Sequence, residues 1–402
     1  MNRSIPASIR RIGAATVATF RGCPLSVSPR TAGGEPRVEW TVVTTDASRL
    51  VRRTLELVDI PSESRAEAEI AAHVAREMNA TGLECRHDDG EGFYWATPRR
   101  PGTPLVLFAG HLDTVPAQDN IPGRIEGDEV VGLGASDMKG GVAVMMELAA
   151  WIGSQRPALA MDVGMLFFTR EELPVAESPV PDIFRACPEL RDADLAIVME
   201  PTDNTVQAGC VGNLMATLTF TGVSAHSARP WTGENAITKA VHGLLGVVDT
   251  GPRPVEIEGL RFTEVLSVTG IRGGIADNVI PDRVEARVNF RFAPDRDAAS
   301  AQARLAELVG DAGQVEVTSV APAGRVRVET PLVRALVDAG PFALEPKQAW
   351  TPVAQFTDEG VDAVNLGPGA TRYAHRRDER IAVAELVRCE AALRRFLTGT
   401  AA

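Results

Sequence analysis

Two histidines and three acidic residues occur in short motifs of the kind that hold metal ions: His111, Asp137, Glu172, Glu200 and His375. Imidazole and carboxylate donors together suit zinc or a similar divalent ion. An aspartate that bridges two such ions would hold them ~3.5–4 Å apart. Each motif also has an ordinary structural explanation when it is taken alone. The prediction of a metal site therefore depends on the fold bringing the five residues together.

The first motif places His111 and Asp113 two residues apart, directly after a predicted strand over 105–109. In an extended chain, residues i and i+2 project to the same side, so the two side chains can interact. A histidine that binds a metal usually gives its other ring N–H to a carboxylate, which fixes its tautomer. A purely structural His–Asp pair explains this spacing equally well.

The second motif places Asp137 in a glycine-rich turn, 134–141, that opens a predicted helix. A dinucleotide site is rejected because no GxGxxG pattern is completed, and because a carboxylate stands where a phosphate would need a clear approach. Asp137 offers a hard oxygen ligand at the start of the helix. The alternative, an aspartate that only caps the helix, stays open at this point.

The remaining acidic candidates follow predicted buried strands. Glu171 and Glu172 end one strand, and Glu200 follows another. Adjacent carboxylates repel each other, and solvated glutamates are the usual explanation for such a pair. At the end of a core strand, however, they need a compensating positive charge, which a metal ion would supply. One glutamate could then bind the metal while the other acts as a base.

The elements that must position these residues alternate between strand and helix. Apolar runs predict buried strands over 105–109, 162–169 and 195–199, and helical spacing predicts helices over 46–59, 67–80 and 139–152. This alternation is typical of an α/β sheet with helices on both faces. Ligands in such sheets bind beyond the carboxyl ends of the strands, where the histidine and glutamate motifs lie.

The pattern changes after Gly212. Alternating strands are predicted over 214–221, 262–271, 283–292 and 315–320, with helices over 234–248 and 298–309. The order β-α-β-β-α-β suits a small antiparallel sheet with two helices. We therefore expect a catalytic metal-binding domain formed by residues 41–211 and 323–402. An inserted α+β, ferredoxin-like domain is expected at 212–322.

Composition excludes several classes of protein. The 402 residues are 45% hydrophobic and 23% charged, which does not fit a fibrous or wholly disordered chain. The longest apolar stretch falls short of the ~18 residues of a membrane span. A net charge of −12 disfavours a general nucleic-acid binder. Five widely spaced cysteines without a CxxC pair argue against a disulfide framework and favour a reducing cytoplasm.

The N-terminal stretch differs from the rest of the chain. Residues 1–40 hold several arginines and no acidic residue before Glu35, a composition typical of a transit peptide. Regular amphipathic patterning begins only near Thr41, so a disordered extension is the favoured interpretation.

Six motifs occur in a fixed order: GHLDTVP, SDMKGG, TREE, MEPT, SAHSARP and AHRRDE. From about Thr41 to the C-terminus, the chain resembles the M20 family of dinuclear zinc aminoacylases and exopeptidases. The inserted domain resembles the lid, or dimerisation domain, of that family. The stretches NVIPD, NFRFAPD and NLGPG are most similar to those of actinobacterial-type desuccinylases in the family.

The resemblance implies a role for each candidate residue. His111 and Glu200 would hold one divalent ion, zinc with cobalt as an alternative, and Glu172 and His375 the other. Asp137 would bridge the two ions. Asp113 would orient His111, and Glu171 would be the general base that activates water.

The resemblance also implies a homodimer in which His226 of the inserted domain reaches the partner's active site and stabilises the oxyanion. Asn278 and Arg291 match positions that bind the substrate carboxylate, and Arg229 is a weaker candidate for the same task. A surface arginine on a strand is the alternative for Arg291.

The expected activity is removal of an N-acyl group from a small amino acid, with N-succinyl-diaminopimelate as the leading substrate. Acetylornithine-type deacylase, aminoacylase and carboxypeptidase activities are alternatives within the family. A catalytically silent metal-binding protein is a further alternative, disfavoured by the intact Glu171 and His226. Pro352 and Gln355 stand where relatives usually have an acidic or serine residue and an arginine, which leaves the substrate less defined than the reaction.

Overall fold

The computed structural model describes residues 8–12, 15–20, 23–27, 41–42 and 46–400. The first four of these ranges are short strands that pair in one antiparallel sheet. The predicted disordered extension over 1–40 falls in large part outside the described residues and stays a prediction.

The helices of the described chain agree closely with the predicted ones where a prediction was made. Their bounds are α1 (Asp46–Asp59), α2 (Ala68–Asn79), α3 (Gly140–Gln155), α4 (Val180–Ala186), α5 (Ala236–Val248), α6 (Ala298–Val309), α7 (Pro331–Ala339), α8 (Val353–Asp358) and α9 (Val383–Thr398). Among the described residues, none of the helices combines the length and apolar character needed to cross a bilayer.

The strands, in chain order, are β1 (Ser8–Ile12), β2 (Ala15–Phe20), β3 (Cys23–Val27), β4 (Thr41–Val42), β5 (Glu84–Asp88), β6 (Gly92–Ala96), β7 (Leu105–His111), β8 (Arg124–Glu126), β9 (Glu129–Val131), β10 (Asp162–Phe168), β11 (Leu195–Val198), β12 (Val206–Ala208), β13 (Gly212–Thr221), β14 (Ala225–His226), β15 (Arg253–Ile257), β16 (Leu260–Gly273), β17 (Val279–Ile280), β18 (Arg283–Phe292), β19 (Gln314–Ala321), β20 (Leu344–Pro346), β21 (Ala363–Asn365) and β22 (Arg380–Ala382).

A large mixed sheet forms the core, in the order β20-β12-β21-β11-β7-β10-β6-β5. The four central strands β21, β11, β7 and β10 run parallel. Strands β7 and β10 are buried along their whole length, which explains their continuous apolar sequence. The predicted α/β architecture is confirmed. Five strands of this sheet were not predicted. Strands β12, β20 and β21 are only three residues long, and Gly92 and the charged residues of β5 break the apolar pattern at β6 and β5.

Helix α3 lies directly against the carboxyl end of the parallel strands. A side chain at Gly141 would collide with the backbone oxygen of Met199, just after β11, so only glycine lets the helix approach this closely. Valine, methionine and leucine side chains of α3 then fill the core, and each such burial contributes about 1.5–3 kcal/mol. The start of α3 is thereby fixed beside the strand ends.

A second, antiparallel sheet has the order β15-β16-β18-β13-β19. Helices α5 and α6 cover one face, where a separate apolar cluster includes Leu214, Phe220, Phe290 and Leu305. The chain leaves the large sheet and returns to it through one point, where the backbones of Cys210 and Gly324 hydrogen-bond to each other. Strands β13, β16, β18 and β19 and helices α5 and α6 agree with the predicted elements, whereas β15 was not predicted. The division into domains at 212 and 322 stays a prediction.

Candidate metal centre

The parallel strands bring the predicted metal donors to one edge of the large sheet. His111 ends β7 and is level with Phe168 of β10, so the glutamate pair begins just beyond it. Val198 of β11 is level with Ala109, which puts Glu200 beside His111. The predicted strand 105–109 therefore continues through His111, whose ring lies at the strand end and is buried.

Asp137 lies at the centre of the cluster. Its Oδ1 is 3.3 Å from Nε2 of His111, and its Oδ2 is 3.5 Å from Nε2 of His375. Gly134 opens the turn with a φ of 78°, and Asp137 itself has extended rather than helical dihedrals. Asp137 is therefore not a helix cap. Its two carboxylate oxygens face two different imidazoles.

Each histidine also has its own glutamate. Glu172 Oε1 is 2.9 Å from Nε2 of His375, and Glu200 Oε1 is 3.8 Å from Nε2 of His111. Donor atoms of His111, Asp137 and Glu172 all lie within 4.8 Å of one another. The cluster consequently has two halves, each with one imidazole and one glutamate, that share the carboxylate of Asp137.

Mutual contacts and burial shift the pKa values in this cluster. Hydrogen bonds to Asp137 and Glu172 raise the pKa of His375 to about 10. Burial would lower the pKa of His111, but its contacts with Asp113 and Asp137 raise it well above its usual value. Protons on the two imidazoles thus supply the positive charge next to the carboxylates. Divalent ions would replace these protons.

The acidic side chains need more positive charge than the imidazoles supply. Burial, followed by the charge of Glu200, raises the pKa of Glu171 well above its usual value. Burial and Asp137 raise the pKa of Glu200 to about 7. Within the described chain, Glu200 Oε1 is buried and has no hydrogen-bond partner. This donor set fits divalent metal ions, because buried carboxylates without partners are costly unless a cation binds them.

Asp113 has a wider role than the predicted orientation of His111. Its Oδ1 is 3.5 Å from Nδ1 of His111, which is nearer to the backbone oxygen of Asp113, at 3.0 Å. Asp113 also accepts the backbone N–H groups of Glu171 and Glu172, at 2.9 and 3.1 Å, and the hydroxyl of Ser64 at 2.7 Å. One buried carboxylate thereby holds both glutamates in place.

Glu379 is a supporting residue that was not among the predicted site residues, although it ends the motif AHRRDE. Its buried carboxylate accepts the backbone N–H groups of Gly134, Ser136 and Asp137, at 2.9, 3.0 and 2.9 Å. Burial raises the pKa of Glu379 to about 7, although these N–H groups act in the opposite direction. Its position four residues after His375 was the sequence signal that it belongs to the site. Through these hydrogen bonds, Glu379 ties the loop that carries His375 to the turn that holds Asp137.

Of the other predicted site residues, Arg291 lies on β18 of the second sheet, and His226 lies on β14, which pairs with β17 in a separate two-stranded sheet. Arg229 and Asn278 lie in the loops next to β14 and β17. Among the described contacts, no hydrogen bond or ion pair joins His226, Arg229, Asn278 or Arg291 to the cluster around Asp137. His226 is exposed, and its Nδ1 accepts the N–H of Ala228 at 3.0 Å. Its Nε2 must then carry the ring proton when the imidazole is neutral, which makes this nitrogen a hydrogen-bond donor.

Gln355 and Pro352, the two departures from the expected pattern, lie at helix α8. Pro352 precedes its first turn. Gln355 is buried, and its Oε1 accepts the hydroxyl of Ser178 at 3.2 Å. Among the described residues, Nε2 of Gln355 has no hydrogen-bond partner. A neutral amide therefore stands at the position where the family resemblance implies an arginine.

Residues 107–399 match the sequence profile of Peptidase family M20/M25/M40. A Mycobacterium tuberculosis protein named as a candidate succinyl-diaminopimelate desuccinylase is 40% identical over 352 residues, which cover 87% of this chain and 98% of that protein. The Corynebacterium glutamicum protein named succinyl-diaminopimelate desuccinylase is 35% identical, covering 86% and 95%.

Solved structures share the fold. Aminopeptidase PepT from Bacillus cereus superposes with a TM-score of 0.73 at 20% identity, covering 88% of this chain and 98% of that one. The YXEP protein of Bacillus subtilis, described as a dinuclear metal-binding peptidase of the M20 family, gives 0.64 at 16% identity, covering 88% and 97%.

Proposed function

Because the chain belongs to Peptidase family M20/M25/M40, we propose that it is a metal-dependent amide hydrolase that removes the succinyl group from N-succinyl-diaminopimelate. The observation that carries the reaction type is the placement of the two oxygens of Asp137 against two different histidines, each with its own glutamate. The substrate assignment is supported by the two actinobacterial relatives, at 40% and 35% identity over most of the chain.

The metal set in this proposal comprises two zinc ions, with cobalt as the alternative. His111 and Glu200 would hold one ion, His375 and Glu172 the other, and Asp137 both. When bound, the ions supply Lewis-acid activation of the amide carbonyl and of water. Asp113 fixes the backbone of Glu171 and Glu172, and Glu379 fixes that of Asp137, so the donors are held before substrate arrives.

Glu171 is the proposed general base. It is half-buried near Glu200 and Asp137, and among the described residues no hydrogen bond or ion pair joins its carboxylate to an imidazole. A cation bound by the neighbouring donors would lower the raised pKa of Glu171 again, and the ionised carboxylate could then take a proton from the attacking water and deliver it to the leaving nitrogen of the amide. Nε2 of His226 would donate a hydrogen bond to the oxyanion that forms at the carbonyl.

A hydrolysis panel on the zinc-loaded protein tests the proposed substrate. We expect N-succinyl-diaminopimelate to give the highest kcat/KM among succinyl-diaminopimelate, acetylornithine, other N-acyl amino acids and dipeptides. The Glu171→Gln protein, assayed in parallel, controls for contaminating hydrolases. Faster cleavage of acetylornithine or of a dipeptide would show that the substrate assignment is wrong and that the protein has another activity of the family. No cleavage of any substrate would favour a silent metal-binding protein.

A homodimer completes the proposed site. Helix α5 exposes Ile237, Val241, Leu245 and Val248, which are between 43% and 65% exposed. Their spacing of three or four residues puts them on one face of the helix, away from the core of the second sheet. An isologous dimer through this face would cover the apolar stripe, and the inserted domain would serve as lid and dimerisation domain.

A cytoplasmic location completes the proposal. It is supported by Cys85, Cys187, Cys210 and Cys389, which are free thiols.

Mixed dimers test whether His226 acts in the partner's site. His226→Ala chains are expected to be nearly inactive because one oxyanion donor is worth about 3–4 kcal/mol. Glu171→Gln chains are expected to be nearly inactive because they lack the general base. Mixing them should restore activity, since one site of each mixed dimer combines an intact Glu171 with the partner's intact His226. Turnover after subunit exchange is the measurement.

A matched control uses His87→Ala, on the outer strand β5, which should stay active alone and in mixtures. If mass spectrometry detects mixed dimers and activity does not return, His226 does not act across the dimer.

A further inference from the structure

A ladder of polar side chains crosses the open face of the second sheet. Nδ2 of Asn289 donates to Oδ1 of Asn213 at 2.8 Å, and Nε of Arg291 donates to Oδ1 of Asn289 at 3.0 Å. Asn213 on β13 is directly opposite Arg291 on β18, and Asn289 is two residues before Arg291. All three side chains are half-buried, and their neighbours Leu214, Phe290 and Phe292 point to the opposite, helix-covered face.

The direction of each hydrogen bond in this ladder is fixed by chemistry. A guanidinium group can only donate, so the oxygen of the Asn289 amide must face Arg291. The nitrogen of Asn289 then faces Asn213, which must accept with its own oxygen. Asn213 thus prevents the amide of Asn289 from turning over, and Asn289 in turn fixes the plane of the guanidinium through Nε.

This arrangement leaves the outer edge of Arg291 free. With Nε occupied, the two terminal Nη groups remain as a pair of parallel donors, the geometry that binds a carboxylate through two hydrogen bonds. Among the described residues, no acidic side chain pairs with Arg291. Burial lowers the pKa of its guanidinium, and no neighbouring charge raises it. Most other half-buried cations in the part of the chain that the structure describes are paired, as Arg53 is with Glu147 and Arg296 with Glu264.

We propose that Asn289 and Asn213 are positioning residues that hold Arg291 with its Nη edge presented to a carboxylate of the substrate. This inference rests on the proposed function, since Arg291 matches a substrate-binding position of the family. It adds that the specificity of this position depends on the orientation of the guanidinium and not on its charge alone. A lysine, which lacks Nε and the planar fork, could not use the ladder.

Direct binding tests the ladder separately from catalysis. The parent protein carries Glu171→Gln and is loaded with zinc, and calorimetry measures its dissociation constant for N-succinyl-diaminopimelate. We expect Asn289→Ala to raise this constant roughly tenfold, because an arginine that must be ordered on binding loses affinity. Asn213→Ala should raise it by a smaller factor, since Asn289 can still accept from Arg291 in one of its two amide orientations. Melting temperature and metal content should not change.

Two comparisons separate positioning from a general structural effect. Thr217→Val alters the same open face of β13, opposite Arg287, and should leave the dissociation constant unchanged. Arg291→Lys should raise the constant, and adding Asn289→Ala to it should have no further effect, because the residue that Asn289 orients is gone.

The outcomes distinguish this inference from the proposed function. If Asn289→Ala leaves binding unchanged, or weakens it equally in the Arg291→Lys background, the ladder does not position Arg291. If the unmutated enzyme fails to cleave the ligand but the parent protein binds it with the expected pattern, the proposed reaction is wrong and the ladder stands. If the parent protein does not bind the ligand, both are wrong.

Discussion

Glu171→Gln is expected to keep two metal ions per chain and to lower kcat by about two to four orders of magnitude, the usual worth of a positioned acid–base group. The amide of glutamine occupies the same volume but cannot take the proton of the attacking water. The backbone N–H of residue 171 still bonds to Asp113, so the loop that carries Glu172 should keep its place. Elemental analysis and steady-state kinetics on the same sample provide the two measurements.

Glu177→Gln is a matched control for this variant. Glu177 lies six residues further along the same loop, where its ion pair with Arg65 is largely exposed. Exposed ion pairs contribute little to the free energy of unfolding. We therefore expect the kcat of Glu177→Gln to stay within about twofold of that of the unmodified enzyme. Near-normal turnover of Glu171→Gln would rule out its role as the base. Loss of one ion would instead identify Glu171 as a ligand.

Asp137→Ala is expected to remove both metal ions and all measurable activity. One carboxylate faces both imidazoles, so its loss takes a donor from each half of the cluster. Glu200→Ala or His375→Ala should weaken mainly one ion, because each belongs to one half. Metal content per chain, measured after dialysis against a fixed zinc concentration, distinguishes these results.

Asp119→Ala serves as the control for metal content. Its side chain is 84% exposed and pairs with Arg377, two residues after His375, so it tests whether any acidic deletion near the His375 loop releases metal. We expect this variant to keep two ions. If Asp137→Ala also keeps two ions per chain, Asp137 does not bridge them.

The strands that support the site were predictable from the sequence because they are parallel and buried on both faces. Such strands are continuous apolar runs, and the residues that follow them must meet at one sheet edge. This rule alone predicts that His111, Glu171, Glu172 and Glu200 lie close together. Helix α1 was predicted with the bounds that it has, because its apolar spacing ends at Val58 and Pro61 follows two residues after its last residue, Asp59.

The supporting contacts could not be predicted in the same way. Glu379 acts on backbone N–H groups about 240 residues earlier in the chain, and nothing in the local sequence identifies those groups as its partners. Asp113 was expected to contact His111, but its bonds to the backbone of Glu171 and Glu172 depend on how two loops meet in space. Backbone acceptors of this kind leave no pattern of residue types.

The paired backbones of Cys210 and Gly324 have a consequence for the order in which the protein folds. His375 and Glu379 follow the second sheet in the chain, whereas Asp137 precedes it, so more than 110 residues separate the two parts of the large sheet. Closing so long a flexible loop costs conformational entropy. Once the second sheet has formed, β13 and β19 pair as neighbours and bring both ends of this segment together. The folded second sheet then acts as a short connection. His375 and Glu379 can reach Asp137 without the closure of a long flexible loop.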